Sequence, residues 1–295
     1  MSVEVKVSVC ICAKNSGTYI GKCLRSLLSQ TVNDYEIVVV EDPPFDNTGS
    51  IIASFHDERL VYERNPRTFG LSKSRNRCLQ LSKGKYVFFT DSDCVVSKDW
   101  IAKGLASFGM RNGIMGVEGR TYYVSKDYKS TFSDRSYVKN ICGGQFMTCN
   151  MAYNKCAVVQ IGGFDERYYG SEDLDLALRV MKTGEICFNP EMIVFHQKSI
   201  KNPKTYLNMV KRIGQDHPRI LLYKKFGDMG LHIWRVISPI NLAIMLYPPL
   251  ILINLFFSPF KTRKDFALLP YTYIFAVFER LQFWASCARQ KVFLI

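Results

Sequence analysis

Residues 85–93 read Lys85-Tyr86-Val87-Phe88-Phe89-Thr90-Asp91-Ser92-Asp93, a short apolar run that delivers two carboxylates at its end. Upstream, strand-like and helix-like stretches alternate. Val7–Ala13 is a short apolar run, and Tyr19–Gln30 follows with Ile20, Leu24, Leu27 and Leu28 at helical spacing. Glu36–Val40 predicts a second buried strand running into Glu41 and Asp42, Ile51–Phe55 a helical fragment, and Leu60–Glu63 a third short strand. Leu71–Ser82 predicts a polar-faced helix stopped by Gly84. Strands separated by helices predict an α/β fold with a mostly parallel sheet flanked by helices. Open sheets of this kind bind ligands at the carboxyl ends of their strands. Asp42, Asp91 and Asp93 all fall there.

Beyond that stretch, Gly116–Tyr123 reads as a strand, Gly143-Gly144 as a turn and Gly162-Gly163-Phe164-Asp165-Glu166 as a tight loop. Leu174, Ala177, Leu178 and Met181 mark one face of a helix predicted to begin near Ser171 and close at Gly184. Ile186–Phe188 and Ile193–Phe195 predict two short final strands, with His196 just past the second.

The 295 residues are 47% hydrophobic and 22% charged, the balance of a chain that buries a core. That length allows one large domain with an appendage, or two modest domains. The formal charge of +13 suggests an anionic partner until its position is counted. Residues 1–197 hold 24 basic and 22 acidic side chains, 198–235 hold 9 and 2, and 236–295 hold 6 and 2. A nucleic-acid enzyme spreads its basic footprint over the folded domain, so the near-neutral body argues against nucleic acid as a partner. Ten cysteines without a Cys-x-x-Cys pair, in a chain whose start does not read as a signal peptide, are expected to be reduced cytosolic thiols. Cys10 and Cys12 share one strand face, which favours packing over metal binding.

The tail from about Ile237 is apolar but is not a simple span. Ile240–Phe257 is broken by Pro248-Pro249, and Phe266–Phe278 stops at Glu279 and Arg280, short of the ~20 residues that cross hydrocarbon. Lys261, Arg263 and Lys264 in the connecting turn oppose a full hairpin under the positive-inside tendency. Interfacial or re-entrant helices docked on an anionic leaflet are therefore expected, rather than two spans or a soluble helical subdomain.

Asp-x-Asp at a strand end places hard oxygen donors on both sides of one turn, a spacing that holds Mg²⁺ or Mn²⁺ against a diphosphate, although a bare turn carries the same residues. Glycine-cradle alternatives fail. No Gly-x-Gly-x-x-Gly follows the first strand, and Gly17–Cys23 is one residue short of a Walker loop. Glu172-Asp173 at a helix start either complements the helix dipole or supplies a general base. His196 reads either as a surface or packing residue or as a donor completing a metal site.

The ordered set Glu41-Asp42, Gly70…Arg75-Asn76, Asp91-Ser92-Asp93, Asn150, Gly162–Glu166, Glu172-Asp173-Leu174-Asp175-Leu176 with Arg179 and Gly184, and His196 resembles the family 2 glycosyltransferases of GT-A fold over about residues 5–200. The resemblance implies a GT-A-like catalytic domain over 1–200; charge and apolar runs predict a basic amphipathic connecting segment over 201–235 and a membrane-associated apolar helical extension over 236–295. It implies a nucleotide-diphosphate-sugar donor with a divalent metal, Mn²⁺ or Mg²⁺, and inversion by direct displacement. Asp42 would accept a hydrogen bond from the base, Ala13–Asn15 would line the same pocket, and Arg75 would approach the base or diphosphate. Asp91 and the Ser92 turn would face the ribose or sugar, Asp93 would ligate the metal, and His196 and Asp91 would be further ligands. Asp173 would be the catalytic base, Glu172 would shape the acceptor or donor-sugar pocket, and Arg179 would be a structural partner of these acids.

Two departures stand out: Pro43-Pro44-Phe45 replaces the usual small pair after Asp42, and Arg212…Arg219…Lys224-Lys225 follows His196, where related enzymes can order a segment over the diphosphate. The expected acceptor is a glycan or polyprenyl-linked glycan presented at a membrane surface, on its cytoplasmic face. The competing readings are an inactive membrane-associated nucleotide-sugar-binding protein and a nucleotidyltransferase, the latter lacking the basic glycine-rich first loop it would want.

Overall fold

The computed structural model describes residues 5–124, 140–197, 217–227 and 269–292. These fall in two compact units, the first holding the described residues up to 197 and the second the remainder.

The first unit is built on one eight-stranded sheet. Its strands are β1 (Val7–Ala13), β2 (Tyr35–Glu41), β3 (Leu60–Arg64), β4 (Tyr86–Asp91), β5 (Cys94–Val96), β6 (Ile114–Val124), β7 (Met151–Asn154) and β8 (Glu185–Gln197), in the spatial order β3-β2-β1-β4-β7-β6-β8-β5. The helices are α1 (Ile20–Leu28), α2 (Thr48–Ala53), α3 (Leu71–Leu81), α4 (Trp100–Met110), α5 (Lys155–Gln160) and α6 (Glu172–Val180). Both faces are covered, as the uninterrupted apolar runs of β1 and β2 require. Val9, Ile11, Ile37, Val39 and Phe88 pack with α1, α2 and α4, while Cys10, Val38, Val40 and Phe89 pack with α3, α5 and α6. Cys10 lies in that second core with Cys12 against it, in keeping with a packing role, and all ten cysteines are free thiols.

The sheet is mixed rather than mostly parallel. β1 pairs in parallel with β2 and β4, β2 with β3, and β6 with β8, but β7 runs antiparallel to both β4 and β6, and β5 antiparallel to β8. Two reversals through β7 bring β6 and β8 back to the direction of β4. The end of β8 therefore returns to the edge where β1, β2 and β4 end, although about a hundred residues separate it from β4.

Three boundaries differ from the sequence expectation for local reasons. α3 ends at Leu81, and Gly84 is required instead by close approach, since a Cβ there would sit 2.6 Å from the Ser8 nitrogen and the Val7 carbonyl carbon. α6 ends at Val180, four residues before Gly184. The two short final strands are halves of β8: the register against β6 jumps from Gly119–Asn189 to Arg120–Ile193, so Pro190, Glu191 and Met192 form a bulge in one strand. His196 thus lies within β8 rather than beyond it.

In the second unit, α7 (Pro218–Phe226) packs on α8 (Leu269–Gln290) through Ile220 and Phe283, and the Ser286 hydroxyl accepts a hydrogen bond from the His217 backbone N–H at 2.9 Å. α8 runs unbroken through Glu279 and Arg280, where the apolar half was expected to stop. Among the described residues no helix is long and apolar enough to cross a membrane. Residues 236–268 of the expected apolar extension, and Arg212 with the Arg219 side chain, lie outside the described residues.

Candidate active site

Asp91 is the last residue of β4, and Asp93 ends the turn that leads directly into β5. Because β5 pairs antiparallel with β8, with Cys94 opposite His196, the imidazole is held over that turn. His196 Nε2 lies 3.5 Å from Asp93 Oδ1 and 4.0 Å from Asp91 Oδ2. The donor atoms of Asp91, Asp93, Cys94 and His196 all fall within 4.8 Å of one another. Burial pushes the Asp93 carboxyl up to about 6, with His196 pulling it down and Asp91 pushing it further up. Two crowded carboxylates and an imidazole, partly withdrawn from water, form a donor set that suits a divalent cation.

The turn is tied to the first strand. Ser92 Oγ and Ser16 Oγ are 2.7 Å apart, and the Ser16 backbone N–H donates to Thr48 Oγ1 at 2.9 Å. Ala13, buried at the end of β1, accepts the Asp42 N–H at 2.9 Å. Asn15, exposed beside it, takes a left-handed backbone with φ 52°. The Ala13–Asn15 segment therefore borders the same sheet edge, with Ser16, which the sequence did not single out, as its link to Ser92.

Asp42 has another occupation than the expected one. Its Oδ1 accepts from Asn65 Nδ2 at 2.6 Å and Ser74 Oγ at 3.0 Å, and its Oδ2 from the backbone N–H groups of Phe69 at 3.0 Å and Gly70 at 2.8 Å. Four donors fill its acceptor positions. It anchors the loop into α3, leaving none for a nucleotide base while those bonds stand. In the Pro43-Pro44-Phe45 departure the Pro43–Pro44 bond is cis, and Phe45 is exposed with the Arg64 guanidinium 4.7 Å from its ring centre.

Arg75 is likewise not free to approach a base or diphosphate. Buried on α3, its Nη1 donates to Glu172 Oε1 at 2.6 Å and its Nη2 lies 3.7 Å from Asp91 Oδ1. Burial works against its charge, but Asp91 and Glu172 outweigh that and hold the guanidinium above its ordinary range. One buried cation thus spans the strand-end acids and the helix-start acids. Glu172, expected to shape a sugar pocket, is the buried partner of this clamp. Asp173, next to it, accepts one hydrogen bond, from the Leu174 N–H at 2.8 Å. Its carboxyl is pushed up to about 6, chiefly by burial and then by the charge of Glu172, with the Leu174 N–H and Arg75 pulling it down. A carboxylate near neutrality on a rigid helix start is chemically suited to accept a proton.

The supports of this pair are local. Ser171, the residue before α6, sits in left-handed conformation at φ 62°, a strained turn that aims the first helical residues. Asn76 receives the Phe164 N–H on Oδ1 at 2.8 Å and donates Nδ2 to the Phe164 carbonyl at 2.9 Å and to Glu166 at 3.1 Å, fixing the double-glycine loop to α3. Arg179 pairs with Asp175 at 2.7 Å, one turn away on α6, where Glu172 and Asp173 were the acids expected. Asn150 accepts from Trp100 Nε1 at 2.8 Å and donates to the Arg120 and Met192 carbonyls, so it cross-links strands. Lys224 and Lys225 lie on α7, in the second unit. Glu118 escaped the sequence reading. Buried, it accepts the backbone N–H groups of Gly144, Gln145 and Phe146 and the Asn140 amide, and so shapes the Gly143-Gly144 turn; an acid within a strand-like run was its signal.

Residues 8–153 match the family described as Glycosyl transferase family 2. The match supports a family 2 glycosyltransferase. The glycosyltransferase match ends before Glu172, Asp173 and His196. UDP-Glc:alpha-D-GlcNAc-diphosphoundecaprenol beta-1,3-glucosyltransferase WfaP of Escherichia coli is 27% identical over 239 residues, covering 76% of this chain and 94% of that protein. Among solved structures, S. aureus TarS 1-349 in complex with UDP is similar at a TM-score of 0.60 and 18% identity, covering 98% of this chain and 92% of that one. The mannosyltransferase PcManGT from Pyrobaculum calidifontis in complex with GDP-Man and Mn2+ is similar at a TM-score of 0.59 and 17% identity, over 97% of this chain and 87% of that one. These likenesses show a GT-A-like α/β fold with a mixed sheet flanked by helices.

Proposed function

We propose that the chain is an inverting, divalent-metal-dependent glycosyltransferase that moves a sugar from a nucleotide diphosphate sugar to an acceptor presented at the cytoplasmic face of a membrane. The observation that carries this reading is the Arg75 clamp. It joins Asp91, a member of the strand-end donor cluster, to Glu172, the neighbour of Asp173, within one buried ion-pair chain. Asp91, Asp93 and His196 would hold the cation, Mn²⁺ or Mg²⁺, which supplies positive charge for the diphosphate leaving group. Asp173 takes the proton of the attacking acceptor hydroxyl, while Arg75 pairs with Glu172 beside it and restrains the rise of the Asp173 pKa. A single base facing a metal-stabilised leaving group suits direct displacement with inversion. The E. coli relative, whose name specifies a UDP-sugar donor and a lipid diphosphate acceptor, supports a nucleotide-sugar donor and a lipid-linked glycan or polysaccharide acceptor.

Metal-dependent thermal stabilisation across a set of nucleotide sugars tests the reading. The correct donor should raise the melting point only with Mn²⁺ or Mg²⁺ present, and chelation should abolish the shift. Chelator-insensitive donor binding would exclude Asp91, Asp93 and His196 as holders of a catalytic cation.

A further inference from the structure

Cys94 belongs to the donor cluster by position as well as by distance. It follows Asp93 directly, opens β5 and pairs with His196 across the β5–β8 ladder, and cross-strand partners project to one face of a sheet. Its sulfur is one of four donor atoms within 4.8 Å of one another, from two carboxylates, an imidazole and a thiol. A tetrahedral shell with bonds of about 2.0–2.3 Å has donor separations of about 3.3–3.8 Å, so a contraction of roughly 1 Å at the longest edge would complete it. The set is chemically divided. Carboxylate and imidazole accept Mn²⁺ or Mg²⁺, whereas sulfur selects zinc-like ions.

We propose that Cys94 gives this site a second, closed mode in which Zn²⁺ or Cd²⁺ recruits its sulfur, fills a four-donor shell and blocks the enzyme. This inference rests on the metal reading of Asp91, Asp93 and His196. With hard cations, the two carboxylates and His196 leave coordination positions open to a diphosphate. With zinc, Cys94 completes a shell made wholly of protein donors, and such closed shells are those of structural rather than catalytic zinc sites. On recruitment a metal–sulfur bond forms and the thiol proton passes to solvent; no electron moves. Cys149, also buried and hydrogen-bonded to Cys94, serves as the control.

The test uses the full chain with the exposed Cys142 and Cys156 and the half-buried Cys12, Cys187 and Cys287 changed to serine, removing the accessible competing thiols. Cd²⁺ titration should produce an ultraviolet sulfur-to-cadmium charge-transfer band saturating at one equivalent, retained in Cys149→Ser and lost in Cys94→Ser. The preference for zinc over manganese, read by displacement of Mn²⁺ in electron paramagnetic resonance, should fall at least about tenfold in Cys94→Ser. X-ray absorption of the zinc-loaded parent, which needs no Cys94 variant to fold, should show one sulfur at about 2.3 Å. A zinc shell of oxygen and nitrogen alone, or a cadmium band that survives Cys94→Ser, overturns the proposal while leaving the catalytic reading standing. Failure of the parent to bind Mn²⁺ even with nucleotide sugar present overturns both.

Discussion

Burial and the neighbouring Glu172 charge hold the Asp173 carboxyl at about 6, so its proton-accepting form grows in as the pH rises through that value. Turnover should therefore fall on the acid side with a limb near 6, measured as kcat against pH. Asp173→Asn should lose about 10²–10⁴-fold in turnover while donor affinity is kept, and near-normal turnover would remove Asp173 as the base. Stability has the opposite sign. The unfolded carboxyl titrates near 3.8, so this group's contribution to folding is present below that value and disappears as the pH rises through about 6. Asp173→Asn should accordingly melt with the parent at about pH 4 and above it beyond about pH 7. Arg75→Gln removes a cation that lowers the Asp173 pKa and strands buried Glu172. The acid limb should move to higher pH, and the fold should lose about 3–5 kcal/mol in denaturant titration.

α3 is the element that makes the strand ends into a site. Ser72, Ser74, Arg75, Asn76 and Arg77 bond in turn to the Tyr168 carbonyl, Asp42, Glu172, the 164–166 loop and Glu63. Asn76→Ala removes three of these bonds and should cost about 1–3 kcal/mol, with reduced hydrogen-exchange protection at Gly162–Phe164. Gly84→Ala drives a methyl into the β1 backbone and should destabilise the sheet by about 1–3 kcal/mol on thermal unfolding. The first four strands and three helices were legible because each is long enough to show its period and ends in polar punctuation. β5 and β7, with three and four residues, are too short to show one; α5, with six, is under two turns, and the run of α4 is interrupted by Gly104 and Gly109. In the site, residue types were legible but partners were not. Asp42 and Arg75 were singled out by the sequence, yet only the folded chain shows that four donors saturate one and two acids engage the other. Glu118 and Ser16 were hidden because their bonds reach distant backbone and side-chain groups.

For the molecule as a whole, donor binding should stabilise the first unit by about 2.7 kcal/mol at a hundred times the dissociation constant, and a metal-free sample should forfeit most of it. Under the proposed function, the near-neutral balance of residues 1–197 leaves charge neutralisation of a diphosphate to the cation rather than to a basic surface. The double reversal through β7 has a further consequence. Asp91 and Asp93 leave the ribosome about a hundred residues ahead of His196, and β8 must thread beside β6 before β5 has a partner. The cluster of Asp91, Asp93 and His196 is therefore among the last parts of the sheet to exist during synthesis, since pairings distant in sequence form late. A nascent chain halted after β7 would carry both aspartates with no histidine over them, so the assembled donor cluster is a built-in certificate that translation has passed residue 197.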